Sequence, residues 1–213
     1  MLVSRHSRRA ATAAVVAFLA FAASAATANA GVLVASAPSC ADQALQKTFL
    51  PWLDVADYTA LSGGDFESGA DGWSMSGGAA VAAGNESHYV GGSDDANSLA
   101  LPSGGSATSP AICVGITHPT VRFFAKRRST GLLATLSTLR VDVLFETAGG
   151  DVASLPIGTV LGNGNWQPTL PLVVVANLLP LLPGEMTPVA FRFTAQGGAW
   201  SVDDVWVDPY SRK

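Results

Sequence analysis

The residues of this chain best suited to chemistry are two adjacent carboxylates near its C-terminus, Asp203 and Asp204. They interrupt an apolar stretch in which Trp200 and Val202 share one parity, whereas Val205 has the other. Because side chains alternate between the two faces of a strand, all three can face one core only if the strand bulges or turns a carboxylate inward. A carboxylate at a core edge must be protonated, hydrogen-bonded or bound to a cation. The pair therefore predicts either hydrogen bonds from the backbone or arginine, or a cation site.

Patterns typical of enzymes are weak in this chain. His88 and His118 do not show metal-ligand spacing, and Gly104-Gly105-Ser106 lacks the strand–turn–helix setting of a phosphate loop or nucleophile elbow. Asp142 and Glu146 share parity on one predicted strand and could form a two-carboxylate hydrolase site, but strand alternation makes such pairs common. We therefore predict no catalytic residues and no organic cofactor.

These residues must be positioned by β-strands. From residue 62 onward, short segments rich in Val, Phe, Thr and Ala alternate with Gly, Ser, Asn and Pro. This pattern predicts an all-β protein, an antiparallel β-sandwich of jelly-roll type with little helix. The predicted strands are Gly72–Ser76, Ala79–Ala83, Ser98–Leu101, Ala107–Val114, Val121–Lys126, Leu139–Glu146, Val152–Pro156, Trp166–Leu172, Val189–Ala195 and Ala199–Val207.

Two segments do not read as strands. Residues 31–61 are predicted to form an N-terminal wrap, with a helical turn at Gln43–Lys47 that Pro51 ends and with Trp52 packed on the sandwich. Leu170–Leu182 is almost entirely apolar and carries Pro171 and Pro180, with Pro183 directly after it. We interpret it as a buried loop or short helix covering one end of the sandwich; the alternative is an exposed patch that docks a partner.

Four motifs in order resemble a known superfamily. Gly63–Gly69 with Gly72-Trp73 opens the β region, Asn97–Leu101 and Asn165–Gln167 follow, and Trp200–Val205 closes it. The set resembles the galactose-binding-like jelly rolls, particularly the cleft-type carbohydrate-binding modules attached to secreted glycoside hydrolases. The resemblance spans residues 62–208, and the chain beyond its leader also looks like secreted proteins of actinobacteria.

In modules of that type a structural calcium ion commonly joins the first and last strands. The resemblance places Glu67 and Asp203 as its carboxylate ligands, with a backbone carbonyl near Gly64 or Asp65, and the change of parity adds Asp204. Calcium takes several oxygen ligands, so this donor set suits it. The competing interpretation is that the aspartates only accept hydrogen bonds. Asp94 and Asp95 are predicted to form a solvated turn.

The same resemblance implies a glycan ligand. Sugar-binding clefts combine aromatic faces with amide, carboxylate or guanidinium groups. Trp73, Trp166 and Trp200 match scaffold positions of the resembled modules. The ligand-binding residues predicted from what remains are Tyr89, Trp206, Arg122 and Arg192, with His88, Tyr210, Asn85 and Glu86 as further candidates.

Residues 1–30 have the features of a cleaved signal peptide. Three arginines precede an alanine-rich apolar run, and Ala28-Asn29-Ala30 is a small-residue cleavage signal. The run is short and weakly apolar for a retained membrane span. Of the twelve Lys and Arg, three lie in this leader, and all sixteen Asp and Glu lie beyond it, so residues 31–213 carry a formal charge near −7. This charge disfavours nucleic acid and anionic membrane surfaces as partners.

Cys40 and Cys113 are the only cysteines. In an exported chain two cysteines most simply form one disulfide, and neither has the His or Asn companions of a reactive thiol. The predicted domains are therefore a signal peptide (1–30), a wrap tied by a disulfide (31–61) and a jelly-roll domain (62–213). We predict a secreted, non-catalytic recognition module for a glycan or polysaccharide; the alternative is a cell-surface structural or protein-interaction module without a sugar ligand.

Overall fold

The structure of the protein is a computed structural model. It describes residues 33, 36, 37, 40, 43–115, 118–147, 149–174 and 186–210. The predicted leader and most of Leu170–Leu182 lie outside these residues. The described part is built of antiparallel strands, with short 3-10 helices at Leu50–Trp52 and Leu132–Leu136, so the predicted all-β class is confirmed. No helix in this part is long and apolar enough to cross a membrane.

The first sheet contains the C-terminal strand at its centre. Its seven strands are β1 (Thr59–Ala60), β3 (Ala80–Ala83), β4 (Asn97–Leu101), β7 (Thr120–Arg127), β10 (Gln167–Pro168), β11 (Leu172–Val173) and β13 (Trp200–Asp208). Their order is β10-β7-β13-β4-β3, with β1 beside β13 and β11 beside β7. The longest run of residue pairs in this sheet joins β13 to β7, and β13 also pairs with β4 on its other side. The register of β13 is therefore set by both neighbouring strands.

The second sheet packs against the first. Its six strands are β2 (Ser74–Ser76), β5 (Ser106–Thr108), β6 (Ile112–Gly115), β8 (Thr138–Glu146), β9 (Val152–Val160) and β12 (Met186–Gln196). Their order is β2-β5-β12-β8-β9, with β6 also beside β12. Alternation places Val141 and Val143 of β8 in the core, together with Phe191 and Phe193 of β12.

Several strand boundaries differ from the prediction. The predicted strand Ala107–Val114 is two strands, because Pro110 lacks the N–H that a continuous ladder needs. The predicted strand Trp166–Leu172 is likewise reduced to β10 and β11, which contact the same neighbour on either side of a break. By contrast, β9 runs four residues beyond its predicted end at Pro156, as far as Val160.

A second apolar cluster lies on the outer face of the first sheet, beneath the N-terminal wrap. Phe49 and Tyr58 of the wrap are fully buried there against Phe124, with the rings of Phe49 and Tyr58 4.9 Å apart. The predicted helical turn at residues 43–47 is wrong, since Gln46 instead forms a β-bridge with Tyr58. Pro51 lies inside the 3-10 helix rather than ending a turn, as its fixed φ allows.

The predicted disulfide between Cys40 and Cys113 is confirmed, with Cα atoms 5.4 Å apart. It ties the wrap to β6 of the second sheet. The wrap is thus anchored at one end by a covalent bond and at the other by the Phe49–Tyr58 cluster.

Candidate functional site

The last strand contains a bulge, one of the two arrangements that its sequence allowed. The pairing of β13 with β7 joins Asp203 to Phe124 and Trp206 to Arg122, so two residues of β13 oppose one residue of β7. Asp204, inside the bulge, has a φ of 45° in the left-handed region. This extra residue reverses the alternation, which allows Val202 and Val205 to face the same core.

The bulge is held by the loop that opens the β region. Val205 donates from its N–H to the carbonyl of Gly64 (3.0 Å) and accepts from the N–H of Leu61 (2.9 Å). A Cβ on Gly64 would lie only 2.9 Å from the Leu61 carbonyl oxygen and 3.1 Å from that of Val205. The close approach of the two backbones therefore requires glycine at position 64.

Three carboxylates are buried at the bulge. Glu86 and Asp203 have no exposed surface, and Asp204 is 2% exposed. Asp203 Oδ2 accepts from the N–H of Glu86 (2.8 Å), and Asp204 Oδ2 accepts from the N–H of Gly91 (3.2 Å). Both aspartates therefore bond the backbone of residues 85–91, which we call the acidic loop.

Glu86 organises the acidic loop from within. Its carboxylate accepts hydrogen bonds from the N–H of His88 (2.5 Å) and of Val90 (2.6 Å). The loop thus folds around one buried side chain, and a carboxylate is the group best able to accept from two converging N–H donors. Tyr89, between these two donors, has a φ of 53° and is 54% exposed.

Negative charge is concentrated around this loop. Burial raises the pKa of Asp203 to about 8, with the neighbouring Asp204 and Glu86 carboxylates adding to the rise. Burial likewise raises the pKa of Asp204 to about 7, with further contributions from Glu86 and Asp95. We call the following six residues the acidic centre: Asp65, Glu67, Glu86, Asp95, Asp203 and Asp204. Within the described residues none of the six forms an ion pair with lysine or arginine.

The predicted calcium ligands lie in this centre but bond separate partners. Glu67 Oε1 accepts from the N–H groups of Ala96 and Asn97, at 2.9 and 2.6 Å, whereas the two aspartates bond the acidic loop. In the described part of the chain, no three His, Cys, Asp or Glu side chains are arranged to hold one metal ion. Calcium also takes carbonyl and water oxygens, so calcium binding stays a prediction.

Asp95 belongs to the acidic centre and not simply to a solvated turn. It is half-buried, and a Cβ on Gly91 would lie 2.6 Å from both Asp95 Oδ2 and Asp204 Oδ1. The two carboxylates therefore face the same space, which glycine leaves open. Burial raises the pKa of Asp95, and nearby Glu67 adds to the rise. Asp94 is exposed, as a solvated turn requires.

A pocket of about 500 Å³ lies between the wrap and the acidic loop. We call it the wrap pocket; its walls are Gln46, Lys47, Thr48, Pro51, Trp52, His88 and Val90. The rings of Trp52 and His88 meet edge to face, 5.1 Å apart, and Trp52 also packs edge-on against Phe124 (5.4 Å). The pocket therefore joins an aromatic corner to a polar wall.

The polar wall of the wrap pocket is partly fixed in place. Lys47 Nζ donates to the carbonyl of Val55 (2.8 Å) and pairs with Asp57 (3.2 Å). The hydroxyl of Thr48 is buried without a hydrogen-bond partner among the described residues.

The predicted ligand-binding residues are not brought together. Arg122 is buried, where Nη1 pairs with Asp54 and Nε donates to the Thr169 carbonyl, and Trp206 is also buried. Arg192 lies on the outer face of the second sheet, where it donates to Ser154 Oγ (3.2 Å). Tyr89 is exposed on the acidic loop, but its neighbours His88 and Val90 line the pocket.

Sequence reasoning named Glu86 only as a further candidate for contacting a glycan and Trp52 only as a structural residue, so it did not predict that these two residues build this region. Glu86 lies in a polar loop without periodicity, so nothing along the chain marks it as buried. Trp52 was predicted to be structural, and it does pack on the sandwich, but it also lines the pocket. Its place beside His88 follows from the course of the wrap, which no local pattern indicates.

Comparison with known proteins finds similarity in structure alone. No family model matches the chain, and no curated protein matches its sequence. The fold is similar to that of the CBM22-2 xylan-binding domain from Paenibacillus barcinonensis, with 14% identity over 68% of this chain and 97% of that one and a TM-score of 0.47. It is also similar to the CBM22-1 and GH10 modules of a Clostridium thermocellum endo-1,4-β-D-xylanase complexed with xylohexaose, with 18% identity over 70% of this chain and 28% of that one and a TM-score of 0.46.

A third similar structure is the CBM61 module TmCBM61 in complex with β-1,4-galactotriose. There the identity is 16% over 70% of this chain and 96% of that one, with a TM-score of 0.39. All three similarities lie below 25% sequence identity and concern the fold.

Proposed function

We propose that the protein is a secreted, non-catalytic recognition module that binds a glycan in the wrap pocket. The observation that carries this proposal is the arrangement of Trp52 and His88 beside Gln46, Lys47 and Thr48 in one open pocket. A sugar ring has an apolar C–H face and a rim of hydroxyl groups. The aromatic corner suits the face and the polar wall suits the rim.

The size and charge of the pocket agree with a small number of sugar units. Its volume of about 500 Å³ falls inside the range of roughly 300–1,000 Å³ that is usual for small-molecule sites. Lys47 is the one cation among the described residues of the pocket wall, and Asp57 already neutralises it. The proposed ligand is therefore an uncharged saccharide.

Export is supported by the disulfide and by the predicted leader. Disulfides persist in oxidising compartments, and this one closes a sequence separation of 73 residues between the wrap and β6. The arrangement suits a module that works outside the cell.

We also propose that a cation, calcium by its preference for oxygen donors, binds at the acidic centre. Support comes from the burial of Glu86, Asp203 and Asp204 together without a lysine or arginine partner among the described residues. Burying uncompensated negative charge is unfavourable, so a cation would stabilise the ionised form. Its role would be structural, because the same carboxylates hold the acidic loop in place.

The glycan proposal is tested by retention on polysaccharides and by titration with oligosaccharides. Xylan and xylohexaose are the first probes, followed by galactan and cellulose. The variants Trp52→Ala and His88→Ala should each weaken binding about tenfold, because each removes one ring of the aromatic corner. The control variant is Leu53→Ala, which changes an adjacent, 91% exposed side chain outside the pocket.

Equal binding by the Trp52→Ala, His88→Ala and Leu53→Ala variants would place the glycan elsewhere on the molecule. Absence of retention on every polysaccharide, by a folded sample with its disulfide intact, would contradict the glycan proposal itself. Thermal unfolding checks that each variant is folded, which matters most for Trp52 because it packs on Phe124.

The alternative is a cell-surface module that docks a protein partner. It is favoured by the described part of the Leu170–Leu182 segment, where Leu170 is 81% exposed and Val173 is 43% exposed, whereas Val174 is buried. Self-association that disappears in Leu178→Asp, at a position outside the described residues, would support this alternative.

A further inference from the structure

A second cavity, of about 480 Å³, lies between the open edges of the two sheets. On one side is the end of β9 with the turn that follows it, and on the other are β10 and β11. We call this cavity the edge cleft. None of the described side chains that line it is ionisable, and prominent among them are Thr159, Leu161, Asn165, Gln167 and Leu170.

The floor of the edge cleft is closely packed. A Cβ on Gly162 would lie 2.8 Å from the buried ring of Trp200, and a Cβ on Gly158 would lie 2.7 Å from Leu172. The turn is fixed as well, because the side-chain Oδ1 of Asn163 accepts a hydrogen bond from the backbone N–H of Asn165 (2.8 Å). The cleft is therefore a preformed feature of the sandwich, which lowers the entropy lost when a ligand binds.

Two side-chain amides in the cleft are unused by the fold. Asn165 and Gln167 are exposed, and neither side chain has a hydrogen-bond partner among the described residues. Each amide offers donors and an acceptor together, which matches a pair of neighbouring hydroxyl groups. Leu161 and Leu170, 76% and 81% exposed, flank them with apolar surface.

We propose that the edge cleft is a second binding site, for an extended, uncharged oligosaccharide. The amides would bond hydroxyl groups, and the leucines would cover the C–H faces of the rings. The absence of ionisable lining groups in the described cleft disfavours an acidic or basic ligand.

A saccharide suits the cleft better than a peptide strand does. An extended peptide binds a sheet by pairing with the backbone of an edge strand. Here Pro156 removes one N–H from β9, the edge strand of the second sheet, so that strand offers an interrupted ladder. The exposed polar side chains of the cleft are amides, together with the hydroxyl of Thr159.

The inference shares the glycan class of the proposed function but stands on a different surface, so the two can fail separately. We would titrate the whole purified protein with xylohexaose, cellohexaose and mannohexaose, with trigalacturonic acid as the charged comparison. The variant Asn165→Ala/Gln167→Ala is tested alone and together with Trp52→Ala, and Gln196→Ala is the matched control for an exposed amide on β12.

The natural protein should bind one of the hexasaccharides at two sites and should bind trigalacturonic acid more weakly. Asn165→Ala/Gln167→Ala should weaken one of the two binding steps about tenfold, and Gln196→Ala should not change it. In the Trp52→Ala protein, one binding step should remain, and adding Asn165→Ala/Gln167→Ala should weaken that step.

If Trp52→Ala loses all binding and the amide variant loses no binding, the edge-cleft inference is overturned and the proposed function stands. The reverse result would establish the edge cleft and remove the wrap pocket. Binding of an unstructured neutral peptide, but of no hexasaccharide, would overturn the ligand class. No binding of any hexasaccharide would overturn both proposals.

Discussion

Replacing Asp204 by asparagine should stabilise the protein at alkaline pH and leave its stability nearly unchanged at acid pH. Asparagine keeps the acceptor that the N–H of Gly91 uses, and its new amide group can donate to Asp95, which faces the same space. It also tolerates the left-handed φ of 45° at this position. The substitution therefore removes a charge without removing the geometry.

The magnitude follows from the pKa of Asp204, which burial raises from 3.8 to about 7. Below 3.8 the carboxyl is protonated in both states and contributes nothing. Between 3.8 and about 7 the folded state keeps a proton that the unfolded state has lost, so stability falls as pH rises, by about 1.4 kcal/mol for each unit. Above that range the loss of stability in the natural protein is complete, and we expect the Asp204→Asn variant to be more stable than it by about 2–4 kcal/mol.

The assay is urea-induced unfolding of both proteins at about pH 4 and about pH 9, with a chelator present. Asp94→Asn is the control, since it makes the same change of charge at an exposed residue of the same region. A stability difference between Asp204→Asn and the natural protein that does not change with pH would refute the reasoning, as would destabilisation at alkaline pH. Added calcium should then stabilise the natural protein at alkaline pH more than it stabilises Asp204→Asn.

Three further predictions concern the stability of the β-sandwich and of the wrap. Replacing both cysteines of the disulfide by serine should lower the free energy of unfolding by about 4 kcal/mol in the chain-entropy model, and an unchanged urea midpoint would contradict it. Arg122→Met should lower it by about 3–5 kcal/mol because Asp54 is left without its partner, and adding Asp54→Asn should restore part of the loss in a double-mutant cycle. Gly162→Ala should lower the melting temperature because its Cβ would meet the ring of Trp200, whereas Gly164→Ala, with open space around it, should not; equal melting temperatures would contradict that packing.

The acidic centre shows where sequence reasoning succeeded and where it ended. The parity change across Asp203 and Asp204 predicted the bulge, because strict alternation leaves few ways to keep apolar residues on one face. The same reasoning listed Glu86 only as a candidate for contacting a glycan, and it did not indicate that Glu86 supplies the third buried carboxylate and holds the acidic loop. Its burial depends on contacts 117 residues apart along the chain.

The sequence by itself determined the all-β class, the approximate strands and the disulfide, because each depends on a local period or on a count of cysteines. Only the tertiary structure decided which polar and aromatic residues meet in a pocket. Trp52 reaches His88 because the wrap crosses the first sheet, and Asn165 and Thr159 line one cleft because the edges of two sheets end side by side. Such meetings are set by the packing of whole elements, which is decided by the summed burial of many side chains and leaves no periodic trace in the residues that come together.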